Sequence, residues 1–327
     1  VTSNRVPVLL KEAPMQKWAW AAFWLTSAIW GSSFLLIRVG VEEVSPGQLS
    51  FLRCLIAAIG LNAVMLLRGR RYPKDRQTWI ALALVGFGNA TLPYFLIGWG
   101  EQSIESALAS IVQSTVPMFA LVIAHFYLVD ERMTWPKVIG LLLGFVGVVV
   151  LALRSAGGGG ENSLWGMLAI VGASLSYAVF TVYSRTSLLN KNIQPIVVSA
   201  GSFIFAALFG VVFIVLEPLL GIRQAYLPSL SNDVIIAVIL LGLVNTFVAY
   251  LFWYFVVNSL GAFVASNVTY VVPVFGVTLG WLVLNEKIDA LLLVGALLIF
   301  AGLGVINLGG PLMRRLRGRG LPVAVGD

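Results

Sequence analysis

The sequence predicts an all-α membrane protein of ten transmembrane helices, arranged as two inverted five-helix repeats. Three observations carry this. First, 59% of the 327 residues are hydrophobic and only 11% are charged, with mean hydropathy +0.94. Ordinary soluble domains are about 25% charged. Second, the charges flank uncharged runs long enough to cross a hydrocarbon core of about 30 Å at about 1.5 Å per residue. Third, the chain repeats itself. Gly86, Asn89, Tyr94, Ser103, Ala109, Ser110, Pro117 and Phe119 recur 156 positions later as Gly242, Asn245, Tyr250, Ser259, Ala265, Ser266, Pro273 and Phe275. At a spacing of 155, Glu131, Gly140, Phe145 and Gly147 meet Glu286, Gly295, Phe300 and Gly302. Before this stretch, Ser27, Trp30 and Arg38 meet Ser174, Tyr177 and Arg185 at a spacing of 147.

Residues 1–17 are a polar tail holding Arg5, Lys11 and Lys17. The uncharged run 18–37 is the first span. It belongs to the repeat and lacks a clear cleavage pattern, so it is not read as a signal peptide. Glu42, Glu43 and the turn Ser45-Pro46-Gly47 precede the second span, 48–67, which five basic residues between Arg68 and Arg76 close. The third span is 79–100. Glu101 and Glu105 then lead to the fourth, which ends near residue 129 and holds Pro117 and His125. Asp130-Glu131-Arg132 precedes the fifth span, 138–153. Residues 154–163, with the tract Gly157 to Gly160, link the repeat 18–153 to the repeat 164–308. The sixth and seventh spans are 164–184 and 195–216. No charge occurs over the 52 positions from Val234 to Asn285, too many for one helix, so Asn258-Ser259-Leu260-Gly261 is the turn between the eighth and ninth spans. The tenth is 290–308. Residues 309–327, with Pro311 and four arginines, form the second tail.

Ten spans put both tails on one side. That side holds 16 of the 21 Lys and Arg, which marks it as cytoplasmic. The formal charge of +7 therefore reports orientation in a lipid bilayer, not a nucleic-acid partner. Five spans per repeat make the second copy enter from the opposite side, an arrangement typical of secondary transporters. Cys54 is the only cysteine, so no intrachain disulfide forms. No Ser/His/Asp set, CxxC, HExxH or phosphate-cradling glycine loop is present, so neither enzymatic chemistry, nor a metal, nor a cofactor is expected.

These features together resemble the EamA-type members of the drug/metabolite transporter superfamily. The resemblance rests on the two five-helix repeats, Trp30-Gly31 in the first span, Pro117 and Pro273 in the fourth and ninth, and Glu131 and Glu286 ahead of glycine-rich fifth and tenth spans. It covers nearly the whole membrane part. Within the superfamily the sequence is most similar to the YddG-type exporters of aromatic amino acids. One departure is that Trp30-Gly31 becomes Tyr177-Ala178 in the second repeat. The resemblance implies a bacterial inner-membrane exporter working by alternating access.

No Asp, Glu, Lys or Arg lies near the middle of any predicted span, where such groups are costly and functional. A cation antiporter lacks its carboxylate, and a sugar-conjugate carrier lacks its phosphate-binding cations. A zwitterion with an aromatic side chain suits the chain better, without obligatory proton exchange; a multidrug or sugar-conjugate carrier is the alternative. A substrate site is expected at mid-membrane between the repeats. Trp30 and Tyr177 are candidate aromatic walls, and Asn89, Gln113, Asn245 and Tyr270 candidate contacts. Tyr94 and Tyr250 are candidate gates toward opposite faces, and Pro117 and Pro273 candidate hinges. The plainer reading of the polar residues is helix–helix hydrogen bonding. Arg53 is read as a structural partner of Glu42 or Glu43, and His125 as structural. The glycines of the fifth and tenth spans serve packing within the chain or a dimer surface, so monomer and homodimer both stay open.

Overall fold

The computed structural model describes residues 12–127, 133–157, 163–188, 191, 193–222 and 229–318. Glu131, residues 158–162 of the glycine linker and the outer parts of both tails lie outside these residues. Ten helices are long and apolar enough to span a bilayer. They are α1 (Gln16–Gly40), α2 (Pro46–Leu67), α3 (Arg76–Glu101), α4 (Ser106–Tyr127) and α5 (Trp135–Ala156), then α6 (Leu164–Ser187), α7 (Pro195–Leu219), α8 (Asn232–Leu260), α9 (Val264–Leu284) and α10 (Ala290–Asn307). No strand occurs among the described residues. The long uncharged run breaks at Gly261, whose φ of 83° is open to glycine and strained for other residues. Helical backbone continues past α10 and through Pro311 to Gly318, so the proline does not end the helix.

The helices pair as an inverted repeat requires. Numbering the halves in parallel matches α1 with α6, α2 with α7, α3 with α8, α4 with α9 and α5 with α10. Helix α2 packs on α7, α4 on α9 and α5 on α10, so each of these pairs maps onto itself. Helix α1 packs on α8 and α9, while its counterpart α6 packs on α3 and α4. Each half thus buries its apolar faces mainly against the other. Large side chains such as Leu67, Val149, Leu208, Val215 and Leu297 stay exposed and form the lipid-facing surface.

The α5–α10 pair shows how glycine serves this packing. A Cβ on Gly140 would stand 2.5 Å from Gly302 O, and one on Gly147 would stand 2.7 Å from Gly295 O. The backbones approach so closely that only hydrogen fits there. These glycines are spent within the chain. The α1 contact with α9 is as tight, because a Cβ on Gly31 would reach Phe275 Cβ at 2.4 Å.

Candidate functional site

Both α3 and α8 are interrupted at mid-membrane by a π-helical turn, Phe87–Thr91 in one and Leu243–Val248 in the other. The two turns occupy matched positions of the repeat. Threonine hydroxyls reach back five residues to carbonyls the wider turn leaves accessible: Thr91 Oγ1 to Gly86 O at 3.4 Å and Thr246 Oγ1 to Leu241 O at 2.8 Å. Such turns mark functional places in helices. Asn89 and Asn245 sit in them, one per half.

Their surroundings differ. Asn245 donates its amide to Ile29 O and lies 3.0 Å from both Ser32 Oγ and Ser33 Oγ, so it ties α8 to α1. At the repeat-equivalent places on α6, Ser32 and Ser33 become Val179 and Phe180. The Phe180 ring fills the space beside Gly88, where an added Cβ would stand 1.9 Å from it. Asn89 Oδ1 is buried with no hydrogen-bond partner among the described residues. Asn89 instead lines a cavity of about 140 Å³ that reaches Pro195 at the start of α7. Ser202 Oγ, on the same wall, is also buried and without a partner. Phe203, Tyr250 and Tyr254 give the cavity its aromatic side, with the Phe203 and Tyr250 rings 5.3 Å apart and edge to face. Tyr254 hydrogen-bonds Ser199 and donates to Pro195 O at 3.0 Å.

The other candidates fall around this cavity rather than into it. Trp30 packs on Trp253 at 5.3 Å and on Tyr250 at 6.4 Å, behind the aromatic wall. Tyr177 and Tyr94 meet Tyr250 in one apolar cluster, so the two predicted gates share a place instead of facing apart. Gln113 is held by a long contact of 3.5 Å from Ser174 Oγ on α6. Tyr270 accepts from Asn307 Nδ2 at 2.5 Å and so belongs to the α9–α10 contact. Helix α4 breaks at Ser114–Thr115, just before Pro117. There the Ser114 and Thr115 hydroxyls take up Ile111 O at 2.6 Å and Val112 O at 2.7 Å. Pro273 lies inside unbroken helix, six residues after the α9 break at Asn267. His125 accepts the Met133 N–H at 3.1 Å, a structural bond.

Arg53 is the residue that sequence reading misplaced. It does not pair with Glu42 or Glu43. Glu43 accepts the Ser231 N–H at 2.8 Å instead, and that bond holds its carboxyl below the usual range. Arg53 is buried, with Nε donating to Thr246 Oγ1 at 2.7 Å and the guanidinium 3.9 Å from the centre of the Tyr94 ring. Its long side chain carries the charge from two turns inside α2 to the π turn of α8. An arginine alone in an otherwise uncharged span was the available signal.

The face opposite the termini is closed by carboxylates of the second half seated on helix N-termini of the first. Glu217 accepts from Ser45 Oγ and Gly47 N, both at 2.7 Å, at the start of α2. Glu286 accepts from Ser106 N at 2.7 Å and Ala107 N at 2.8 Å, at the start of α4. Each anion meets the positive end of a helix. Arg154 joins Glu105 at 2.8 Å and Asp289 at 2.6 Å. Glu101, expected in a loop, is the last residue of α3 and is 0% exposed. Its carbonyl accepts from Arg38, while neither carboxyl oxygen has a partner among the described residues. Among the described residues no group of acidic, histidine or cysteine side chains could hold a metal.

The EamA-like transporter family model matches residues 17–153 and again residues 164–308. The chain belongs to the EamA-like transporter family and is a multi-pass membrane transporter. YedA, an inner membrane transporter of Escherichia coli (strain K12), is 31% identical over 284 residues, which are 81% of this chain and 87% of that one. A transporter of Archaeoglobus fulgidus is 29% identical over 295 residues, 89% of this chain and 99% of its own. A Streptantibioticus cattleyicolor protein named as a probable terminal-alkyne amino-acid exporter is 27% identical over 293 residues, covering 90% and 94%. A solved crystal structure aligns with TM-score 0.63 at 23% identity, covering 92% of this chain and 99% of that one, a likeness of fold.

Proposed function

We propose that the protein exports small zwitterionic metabolites, aromatic amino acids foremost, across a bacterial inner membrane by alternating access, with both termini cytoplasmic. The observation that carries this is the cavity at the matched π turns. It couples two unpartnered polar atoms, Asn89 Oδ1 and Ser202 Oγ, to an aromatic wall. An acceptor such as Asn89 Oδ1 suits an ammonium group, and Phe203, Tyr250 and Tyr254 suit an aromatic side chain. The cavity reaches the termini-bearing face, while the opposite face is sealed by Glu217 and Glu286. That is one of the two states that rocking halves exchange. The amino-acid exporter among the relatives supports the substrate class.

Transport proceeds without obligatory proton exchange in this reading, because no acidic side chain lines the cavity. A proton-driven reading is favoured by one observation, the buried and unpartnered Glu101 carboxyl. Uptake into liposomes of labelled phenylalanine, a quaternary cation and a sugar nucleotide, with and without a pH gradient, separates these. Phenylalanine uptake indifferent to the gradient is expected. Preference for the cation or the nucleotide overturns the substrate class. Gradient-driven accumulation that Glu101→Gln abolishes replaces facilitated with proton-coupled transport. For orientation, Lys287→Cys in the Cys54→Ala background should react with an impermeant thiol reagent outside intact cells, and Lys74→Cys should not.

A further inference from the structure

Arg53 is a desolvated cation with no ion-pair partner among the described residues. It is about 6% exposed. The Thr246 hydroxyl and the Tyr94 ring hold the guanidinium in place without supplying negative charge. Arg154 forms its ion pairs with Glu105 and Asp289, at the far face. Neither carboxyl oxygen of Glu101 accepts a hydrogen bond among the described residues. A guanidinium does not shed its proton, so burial leaves it charged. Removing such a charge from water is expensive unless an anion and good hydrogen bonds compensate. The fold therefore holds an oriented positive charge against the π turn of α8.

The place of this charge says what the anion is. The guanidinium lies over the Tyr94 ring, and Tyr94 shares one apolar cluster with Tyr177 and Tyr250. Tyr250 also lines the cavity that holds Asn89 Oδ1 and Ser202 Oγ. The cavity thus runs from two unpartnered polar atoms to a tyrosine that borders the guanidinium's surroundings. We propose that Arg53 binds the substrate carboxylate, so that the carrier selects molecules bearing that group. This rests on the amino-acid reading above and adds which group is recognised and by which residue. A guanidinium matches a carboxylate with two parallel N–H···O bonds, and its Nη groups remain for this while Nε is engaged with Thr246. Movement of the Tyr250 ring joins the two ends of the site. An ammonium then meets Asn89 while the carboxylate meets Arg53. The competing account is a pin between α2 and the π turn of α8. That account predicts a packing defect on substitution and no change in substrate preference.

The test compares tryptophan with tryptamine, which lacks the carboxylate, and indole-3-propionate, which lacks the ammonium. Binding is measured to the detergent-purified, monodisperse full chain, the Arg53→Lys variant and the Arg53→Gln variant. The parental protein should bind tryptophan and indole-3-propionate at least about tenfold more tightly than tryptamine. Arg53→Gln should lose about tenfold or more for both carboxylates and leave tryptamine unchanged. Arg53→Lys, which keeps the charge and loses the fork, should fall between. If Arg53→Gln does not fold, the lysine variant and the parental preference carry the same test. Equal parental affinity for tryptophan and tryptamine overturns the proposal, and so does a preference that Arg53→Gln or Arg53→Lys leaves unchanged. Binding of indole-3-propionate but not tryptophan, with loss on Arg53→Gln, overturns the amino-acid reading and upholds the role of Arg53. Binding of none of the three overturns both.

Discussion

Removing the Glu286 carboxylate should loosen the face opposite the termini. Glu286 accepts two backbone N–H groups at the first turn of α4, at 2.7 and 2.8 Å. A hydrogen bond to a charged group contributes about 1.5–3 kcal/mol when well shielded. Glu286 is only half-buried, so water replaces part of this in Glu286→Ala, leaving about 1–3 kcal/mol for the pair. If opening that face breaks both bonds, the open population rises about 5- to 150-fold in the variant. Ser110 reports this. It is fully buried where α4 meets α9, its Cβ 2.5 Å from where a Cβ on Gly276 would stand. The assay is the rate at which an impermeant thiol reagent, added at that face, labels Ser110→Cys in the Cys54→Ala background. Labelling should accelerate with Glu286→Ala within the stated range. An unchanged rate in a variant of unchanged melting temperature would refute the clamp, because the bonds would then persist in the open state.

Three further outcomes follow from the same contacts. Asn89→Ala and Ser202→Ala remove buried oxygens that have no partner among the described residues, so melting temperature should hold or rise while phenylalanine affinity falls about 5- to 10-fold; a loss of stability would mean both oxygens are satisfied in the folded protein. Asn245→Ala removes the tie from α8 to α1 and should destabilise by about 1–3 kcal/mol, seen in thermal unfolding, with the tryptophan-to-alanine binding ratio unchanged. Asp75 caps α3 by accepting the Thr78 N–H, and that bond lowers its pKa. Its contribution is present above the unfolded value near pH 4 and is lost as pH falls through the depressed folded value. Asp75→Ala should therefore lower the melting temperature at pH 7 and differ less from the parent at pH 3.

The fold was legible because a membrane leaves few choices. Charges can sit only at span ends, so charge-free runs locate the spans to within a few residues, and an odd number of spans per repeat fixes the inversion. Depth along a helix was a poorer guide for long side chains. Arg53 lies two turns from the start of α2, yet its guanidinium reaches the π turn of α8. The π turns themselves have no signature in hydropathy. Nothing in apolar periodicity distinguishes Phe87–Thr91 from ordinary helix, though glycine and threonine near both asparagines are consistent with it in hindsight. Glu101 was misplaced for the opposite reason. A carboxylate closing an apolar run reads as loop, whereas packing of α3 against its neighbours buries it fully.

The difference between Asn89 and Asn245 was present in the sequence but only as a comparison between halves. The repeat places the same residue in the same turn twice, which by itself argues for one shared role. What separates them is the helix each faces. Helix α1 offers Ser32, Ser33 and the Ile29 carbonyl to Asn245, whereas α6 offers Val179 and Phe180 at the places of the two serines. A buried amide with its partners present is a fastener, and one without them is a polar group still able to take a ligand. The repeat supplies the symmetry that lets two halves exchange states. The departures from it on α1 and α6 decide which asparagine amide is tied to the neighbouring helix. In a carrier of this construction, positions where one half has a hydroxyl and the other has none are therefore where the substrate contacts are to be sought.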